Sequence, residues 1–280
     1  MTSDVKSAER TRHGHLRRPG PEPAAGGRKW HESAYVRIGV LALIGLASWQ
    51  IASQYTPDYI IPPLADVGNS MREILTTSNG LSNLSATLVR VALGLASAFA
   101  VGVVLGLATG ANKTAAGYIL PVVRFIQGIP SLSWVVIAVI WFQGVELRVW
   151  FVIILVTLPG FALQTDDSYR AIPAELRDMA RSFRPSKWSM FRDVTLPGIT
   201  PGLFTAWKVN LGLGIRMVLV AELVGASTGV GNALLTAQQL FNMAAVVAWT
   251  LTLAVCMLIL QGISALIENY ALRYRPLNHR

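Results

Sequence analysis

The sequence predicts an all-α polytopic membrane protein with six transmembrane helices and one long polar loop. The first observation is composition: 52% of the 280 residues are hydrophobic and only 14% are charged, whereas a soluble domain carries about 25% charged residues. The second is that the charges cluster in residues 1–37, in residues 164–197 and at the C-terminal end. The third is that the runs between them are apolar, with lengths suited to crossing about 30 Å of hydrocarbon as helices.

Six apolar runs predict the six spans. They are Val36–Ala52, Leu84–Leu107, Gly117–Phe142, Val149–Leu163, Leu203–Val224 and Ala244–Ile267. We expect residues 1–35 to be a disordered basic tail, because a stretch rich in arginine, proline and glycine cannot bury a core. We also expect this tail to be retained, because it lacks the pattern of a cleaved signal peptide. The membrane domain then covers residues 36–275, and residues 276–280 form a short C-terminal tail.

Basic residues set the predicted orientation. If the N-terminus is cytoplasmic, the inside segments hold 18 Lys and Arg, and the outside segments hold two, Arg72 and Arg148. Cytoplasmic loops of multi-pass proteins carry such an excess, so we predict that both termini are cytoplasmic. This orientation also accounts for the net charge of +9 without nucleic-acid binding, since the basic residues are not interleaved with aromatic residues on one face.

Two segments are predicted to have packing roles. In the second span, small residues recur at every fourth position, which puts them on one helix face where another backbone can approach closely. They are Gly94, Ala98, Gly102, Gly106 and Gly110. Outside the membrane, Leu64–Leu75 has apolar positions near a 3.6-residue period, so it is either a short surface helix or a plain connector.

Polar residues in the third span are candidates for a transport path. Pro121 and Pro130 interrupt this span, and such breaks are tolerated in a membrane where protein or a water-filled cavity supplies hydrogen-bond partners. Arg124 and Gln127 lie between the two prolines. Either they line a path, or Arg124 lies near the cytoplasmic end of the span and extends to the interface.

Two ionisable residues in the fifth span are further candidates. Arg216 and Glu222 are six residues apart, so they lie on opposed helix faces and do not pair with each other. A charge inside a membrane costs several kcal/mol unless it meets a partner or water. Each residue therefore either lines the path or forms an inter-helix pair.

The polar loop, residues 164–197, predicts two short helices. The first begins at Pro173, a residue favoured in the first helical turn, and ends at Pro185. Ser186 is a suitable N-cap for the second, which carries Trp188 and Phe191. An apolar stripe follows the first helix at helical spacing: Leu176, Met179, Ala180 and Phe183. Such a ridge either enters a groove on a soluble partner or packs on the protein's own helices or on lipid.

The loop sequence also carries a family pattern. It reads PAELRDMARSFRPSKWSMFRDVTLPGITPG, and its second half has the spaced residues Phe191, Val194, Leu196, Pro197 and Pro201. This segment resembles the cytoplasmic EAA loop of bacterial ABC importer permeases. The E-A-A position reads Asp178-Met179-Ala180, and the position of the family's glycine is Arg184. VVRFIQGIPSLSWVVIAVIWFQG and VLVAELVGASTGVGNAL are similar to spans of the nitrate/sulfonate/taurine branch of these permeases.

The resemblance implies a type I ABC importer permease-like fold and a set of partners. Such permeases work in pairs, often as homodimers, with an ABC ATPase dimer docked inside and an extracytoplasmic solute-binding protein outside. The residues that it assigns to ATPase coupling are Pro173, Glu175, Leu176, Asp178, Met179, Ala180, Phe183, Arg184, Ser186 and Trp188. The chain has no G-x-x-x-x-G-K-[ST] phosphate loop, so we expect ATP on a separate subunit and neither a cofactor nor an enzymatic activity here.

The implied solute is a small anion such as a sulfonate, taurine, nitrate or a related organic acid. One alternative is a permease for a neutral or heterocyclic nutrient such as a vitamin precursor. Another is a stand-alone secondary transporter, which is typically built from inverted repeats that the sequence does not show. An intramembrane enzyme or a histidine metal site is disfavoured because all four histidines, His13, His15, His31 and His279, lie in the tails.

Overall fold

The computed structural model describes residues 27–272. The described residues divide into two units, which meet between Trp49 and Gln50 in the chain. The first unit contains most of helix α1, Gly27–Tyr55, and this helix includes the predicted first span. The predicted C-terminal tail and most of the predicted N-terminal tail lie outside the described residues.

Ten further helices form the described part of the second unit. They are α2 (Leu64–Thr76), α3 (Ser78–Ala111), α4 (Lys113–Gly128), α5 (Ser131–Trp141), α6 (Val145–Arg170), α7 (Ala174–Ser182), α8 (Lys187–Met190), α9 (Leu196–Leu223), α10 (Val230–Gln239) and α11 (Met243–Ala271). A π-helical segment, Phe191–Thr195, joins α8 to α9. No strand occurs between residues 27 and 272, which confirms the all-α class.

The long apolar helices match the predicted spans. Within the described residues, four helices are long and apolar enough to cross a membrane: α3, α6, the continuous helix Lys187–Leu223, and α11. A fifth span results if α4 and α5 count as one bent pair. The first predicted span, Val36–Ala52, lies on α1, which is not among these helices, so the total of six stays a prediction.

The third predicted span differs from expectation in where it breaks. The axes of α4 and α5 meet at 92°. Ile129, which precedes Pro130, is extended with ψ 129°, because the proline ring disfavours helical backbone at the residue before it. Pro121, by contrast, lies inside α4 without ending it. Only the second of the two prolines therefore interrupts the helix.

The fourth span is longer than predicted. Helix α6 runs from Val145 to Arg170, so it continues into the segment expected to be loop from residue 164. Its last turn is stabilised because Arg170 pairs with Asp166 at 2.9 Å, one helical turn earlier, and donates to the Thr109 carbonyl of α3 at 3.1 Å. The connection outside the long helices therefore covers residues 171–186.

The stripe of small residues on α3 packs against α6, as predicted. A Cβ atom added at Gly102 would lie 2.6 Å from the Phe161 Cβ, and one at Gly94 would lie 2.7 Å from Ile153. Added Cβ atoms at Gly106 and Gly110 would meet Thr165 and Tyr169 in the same way. The two backbones approach more closely than any larger residue would allow.

Two apolar clusters hold the second unit together. The larger lies between α3, α6 and α9, with Val91, Leu95, Ile153, Phe161 and Val218 buried at its centre. The smaller joins α2 to α11 through Val67, Ile74, Trp249 and Leu253. The segment Leu64–Leu75 is therefore a helix that buries Val67 and Ile74 against this chain, while Leu75 is 50% exposed.

Candidate functional site

The first loop helix, α7, exposes its apolar stripe. Pro173, the predicted first helical residue, is instead the N-cap residue, and the helix ends at Ser182 rather than at Pro185. Leu176 is 42% exposed, Met179 58% and Phe183 79%, while Ala180 is half-buried. No residue of α7 is buried. The stripe is thus not covered by the described part of this chain, which leaves a partner protein or lipid to cover it.

The turn after α7 has a left-handed backbone at the position of the family's missing glycine. Arg184 has a φ of 50°, and its N–H donates to the Arg181 carbonyl at 2.9 Å to close the turn. Left-handed backbone costs a residue with a Cβ atom about 1–2 kcal/mol. The arginine therefore keeps the turn that a glycine would favour, at an energetic cost.

The second loop helix, α8, begins as predicted. The Ser186 hydroxyl accepts a hydrogen bond from the Ser189 N–H at 3.1 Å, which is the N-cap contact. The Trp188 ring lies 5.8 Å from the Phe191 ring and the Trp188 side chain is 68% exposed. Trp188 thus adds a fourth large apolar side chain to the exposed ones of α7. We call Leu176, Met179, Phe183 and Trp188 the loop ridge.

The positions of α7 outside the loop ridge carry charged residues. Glu175 is exposed in the first turn of α7, where a negative charge is favourable beside the helix N-terminus. Asp178 and Arg181 form an exposed pair at 3.4 Å. Arg177 lies 6.0 Å from the Tyr169 ring of α6, and this cation–π contact connects α7 to the end of a long helix.

Three of the polar candidates for a path are exposed on the long helices. Arg124 and Gln127 are exposed on α4, and Arg216 is exposed on α9. Arg216 has no hydrogen bond or ion pair within the described residues. The structure does not bring these three side chains together through any contact in one chain. Their role in a path stays a prediction.

Glu222, the fourth candidate, lies in the protein interior. Its side chain has an exposure of 0% and accepts from the Arg90 Nη1 at 2.7 Å. The Thr87 hydroxyl lies 2.9 Å from both carboxylate oxygens, and the Gly231 N–H donates at 2.9 Å. The sequence left two alternatives for Glu222, lining the path or forming an inter-helix pair. The geometry is that of an inter-helix pair.

Arg90 is the centre of this buried charge network, and sequence reasoning did not single it out. Besides Glu222 it pairs with Glu146 of α6 at 2.5 Å and donates to the Thr228 carbonyl at 2.8 Å. Its side chain is only 6% exposed. The available signal was that a buried acid requires a cation. The sequence does not say which of the four basic residues in or near spans lies beside Glu222: Arg90, Arg124, Lys208 or Arg216.

The network fixes the connection between α9 and α10. Arg148 donates to the Val224 carbonyl at 2.7 Å, and the Gly229 N–H donates to Asn83 at 2.9 Å. Gly229 has a φ of 112°, and a Cβ atom added there would lie 2.5 Å from the Glu222 carboxylate. Glycine is therefore required at this position by both conformation and space.

The described residues contain no cluster of three or more His, Cys, Asp or Glu side chains that could hold a metal ion. The site is therefore built from an exposed ridge on short helices and from helices held together by buried charges. The ridge offers an apolar surface that the described part of the chain does not cover.

The known proteins that this chain resembles are membrane components of transport systems. A family model described as "binding-protein-dependent transport system inner membrane component" matches residues 98–271. The taurine transport system permease protein TauC of Escherichia coli is 26% identical over 236 residues, covering 82% of this chain and 86% of the relative. The bicarbonate transport system permease protein CmpB of Synechococcus elongatus is 27% identical, covering 92% and 97%.

Two further comparisons also match transport proteins. The nitrate import permease protein NrtB of a Synechocystis species is 24% identical over 204 residues, which cover 70% of this chain and 74% of the relative. Among solved structures, an inward-facing conformation of the MetNI methionine ABC transporter superposes with a TM-score of 0.50 at 18% identity, covering 75% of this chain and 96% of that one. The structural match establishes the likeness of fold.

Proposed function

Since the chain belongs to the family of binding-protein-dependent transport system inner membrane components, we propose that it forms the path for a small anion in an ABC importer whose ATPase docks on the loop ridge. The family makes the chain a membrane permease subunit and not a catalytic one. The relatives described above are named for taurine, nitrate and bicarbonate transport, and these solutes are all small and carry anionic groups.

One observation carries the docking proposal. The loop ridge consists of four large apolar side chains that are between 42% and 79% exposed on two short helices. An apolar ridge with charged residues around it fits a groove on a soluble partner. An ATPase subunit is the partner that the proposed system requires, because the chain has no phosphate-binding loop of its own.

The connections of the ridge explain how docking drives transport in this proposal. Helix α7 follows α6 after a short turn, and α8 continues through the π-helical segment into α9. A displacement of the ridge therefore acts on α6 and α9 together, and both of these helices pack on α3. π-helical turns are frequent at functional sites, and this one lies where the ridge joins the span that carries Arg216.

The remaining partners complete the proposed importer. A second permease copy closes the path, an extracytoplasmic binding protein delivers the solute, and membrane lipid surrounds the spans. Both termini are cytoplasmic in this arrangement, which the 18-to-2 distribution of Lys and Arg supports. ATP binds to the partner subunits, so this chain holds no cofactor.

Transport in proteoliposomes tests the proposal. The permease, its ATPase and its binding protein are reconstituted with ATP, and the uptake of labelled taurine, an alkanesulfonate, nitrate and bicarbonate is compared with that of a neutral heterocycle. ATP-dependent uptake of at least one anion is expected. Uptake of the neutral compound alone would establish the alternative substrate class, and uptake without the ATPase would show a secondary transporter.

A further inference from the structure

A basic cavity lies on the opposite side of α7 from the loop ridge. Its volume is about 480 Å³, and Arg181, Arg184 and Lys187 line it. Tyr169, at the end of α6, and Leu107 and Ala111, at the end of α3, form the other wall. None of the described residues that line this cavity is acidic, although Arg181 also pairs with Asp178 beside it at 3.4 Å.

Helix geometry separates this cavity from the loop ridge. Successive residues of an α-helix are about 100° apart, so Arg181 projects from nearly the opposite side of α7 to Phe183 and Met179. Arg177, which lies over the Tyr169 ring, also faces the long helices. One side of α7 thus presents the apolar ridge, and the other presents guanidinium groups to the ends of α3 and α6.

The position of the cavity at the membrane ends of α3 and α6 indicates which kind of anion it can bind. Helix α3 ends at Ala111 and α6 at Arg170, so the cavity lies where two membrane spans leave the hydrocarbon. Leu107 supplies an apolar edge on the membrane side, and the three basic residues supply the other side. A phospholipid has this same division into acyl chain and phosphate, and basic cavities between helices at this depth bind anionic headgroups.

The backbone of Arg184 adds an independent observation. Arg184 holds a left-handed conformation that glycine would adopt without strain, and its side chain lines the cavity. Strained residues persist only where the surrounding structure holds them, and they cluster at functional sites. A guanidinium can bind phosphate through two parallel hydrogen bonds, which would give the Arg184 side chain a function in this cavity.

We propose that this cavity binds the phosphate headgroup of an anionic phospholipid from the leaflet on the loop side. The bound lipid then bridges the membrane ends of α3 and α6 to α7 and α8. This inference goes beyond the proposed transport function, because it concerns neither the solute nor the ATPase. It assigns a lipid contact to Arg181 and Lys187, and also to Arg184, which the family resemblance assigned to ATPase coupling. The loop ridge stays free for a protein partner.

Native mass spectrometry of the full-length purified permease tests the proposal. The protein in neutral detergent is titrated with phosphatidylglycerol and, separately, with phosphatidylcholine, and bound lipid is counted. The double variant Arg181→Gln/Lys187→Gln should bind phosphatidylglycerol about 25-fold more weakly, since each basic residue near an anionic lipid contributes about a factor of five. The control Arg192→Gln/Lys113→Gln removes the same two charges from exposed positions outside the cavity and should bind like the wild type.

A second variant tests whether misfolding, rather than loss of charge, weakens lipid binding. Arg184→Gly removes a guanidinium while relieving the left-handed backbone, so it should fold at least as well as the wild type and bind the anionic lipid about fivefold more weakly. Equal binding of phosphatidylcholine, or an equal loss in the control, would overturn the proposal. So would displacement of the lipid by an equal concentration of inorganic phosphate, which would identify a free-anion site. If the cavity variants bound lipid normally but no longer co-purified with the ATPase, the cavity would belong to the ATPase interface instead.

Discussion

Arg90 of α3 donates to Glu222 of α9 at 2.7 Å, and the Glu222 side chain is completely buried. Thr87 and the Gly231 N–H satisfy the same carboxylate. The pair therefore joins two long helices to each other and to the connection that follows α9. A charge in this position is stable only because its hydrogen-bonding capacity is filled by neighbours.

Glu222→Gln should destabilise the protein by about 3 kcal/mol or more, because it leaves Arg90 buried beside a neutral amide. The measurement is thermal or denaturant unfolding of the purified protein in detergent. Glu146→Gln is the matched control: Glu146 binds the same arginine, but its side chain is 74% exposed, so its loss should cost less than about 1 kcal/mol. Equal losses of unfolding free energy in the two variants would show that burial does not determine how much each carboxylate contributes to stability.

Gly102→Ala should destabilise the packing of α3 on α6 by about 1–3 kcal/mol, because the new Cβ would lie 2.6 Å from the Phe161 Cβ. Gly117→Ala on α4 is the control, since nothing lies within 4 Å of a Cβ atom there. That change should raise stability by about 0.5–1 kcal/mol through helix propensity. Unfolding in detergent measures both, and opposite signs are expected. A stable Gly102→Ala variant would mean that the two helices separate easily.

Arg184→Gly should slow hydrogen exchange of the amides in the turn between α7 and α8. Glycine removes a left-handed strain of about 1–2 kcal/mol, so local opening becomes rarer. Arg181→Gly, inside α7, should do the reverse by about 1 kcal/mol. Exchange followed by mass spectrometry measures both variants. Faster exchange in Arg184→Gly would show that arginine side-chain contacts hold this turn.

The membrane class and the short loop helices could be predicted because their signals are local. Apolar runs of membrane length, small residues at every fourth position and the Ser186 cap can each be recognised within one segment of sequence. The resulting helices, α3, α7, α8 and α11, lie close to where they were expected. The ends of α3, α7 and α11 differ by a few residues, because packing and capping contacts decide where a helix stops. Helix α8 does not end before the fifth span as predicted but continues into α9.

The buried charge network could not be predicted in the same way. Arg90 and Glu222 are separated by 132 residues, and nothing in either segment states which face of α3 meets which face of α9. The 92° bend between α4 and α5 is a similar case. Pro130 permits a break, but the angle depends on how both helices pack on the rest of the unit.

Arg216→Ala should lower the ATP-dependent uptake of the solute by about tenfold or more, if Arg216 contacts the anion through charge-assisted hydrogen bonds of at least about 1.5 kcal/mol. The expectation rests on its exposed position within a membrane-spanning helix. Arg72→Ala, an exposed arginine on α2, is the control and should leave uptake unchanged. ATPase co-purification should be normal in both variants. Normal uptake by Arg216→Ala would remove this residue from the path.

ATPase co-purification with a charged substitution in the loop ridge tests most directly whether the ridge is the docking surface. Phe183→Asp places a carboxylate where a 79% exposed phenyl ring now lies. Phe241→Asp is the matched control: its ring is 76% exposed, it follows α10, and its left-handed backbone tolerates aspartate. Phe183→Asp should release the ATPase, while Phe241→Asp should retain it. Retention of the ATPase by Phe183→Asp, confirmed with Trp188→Asp, would contradict the assignment of the loop ridge as its docking surface.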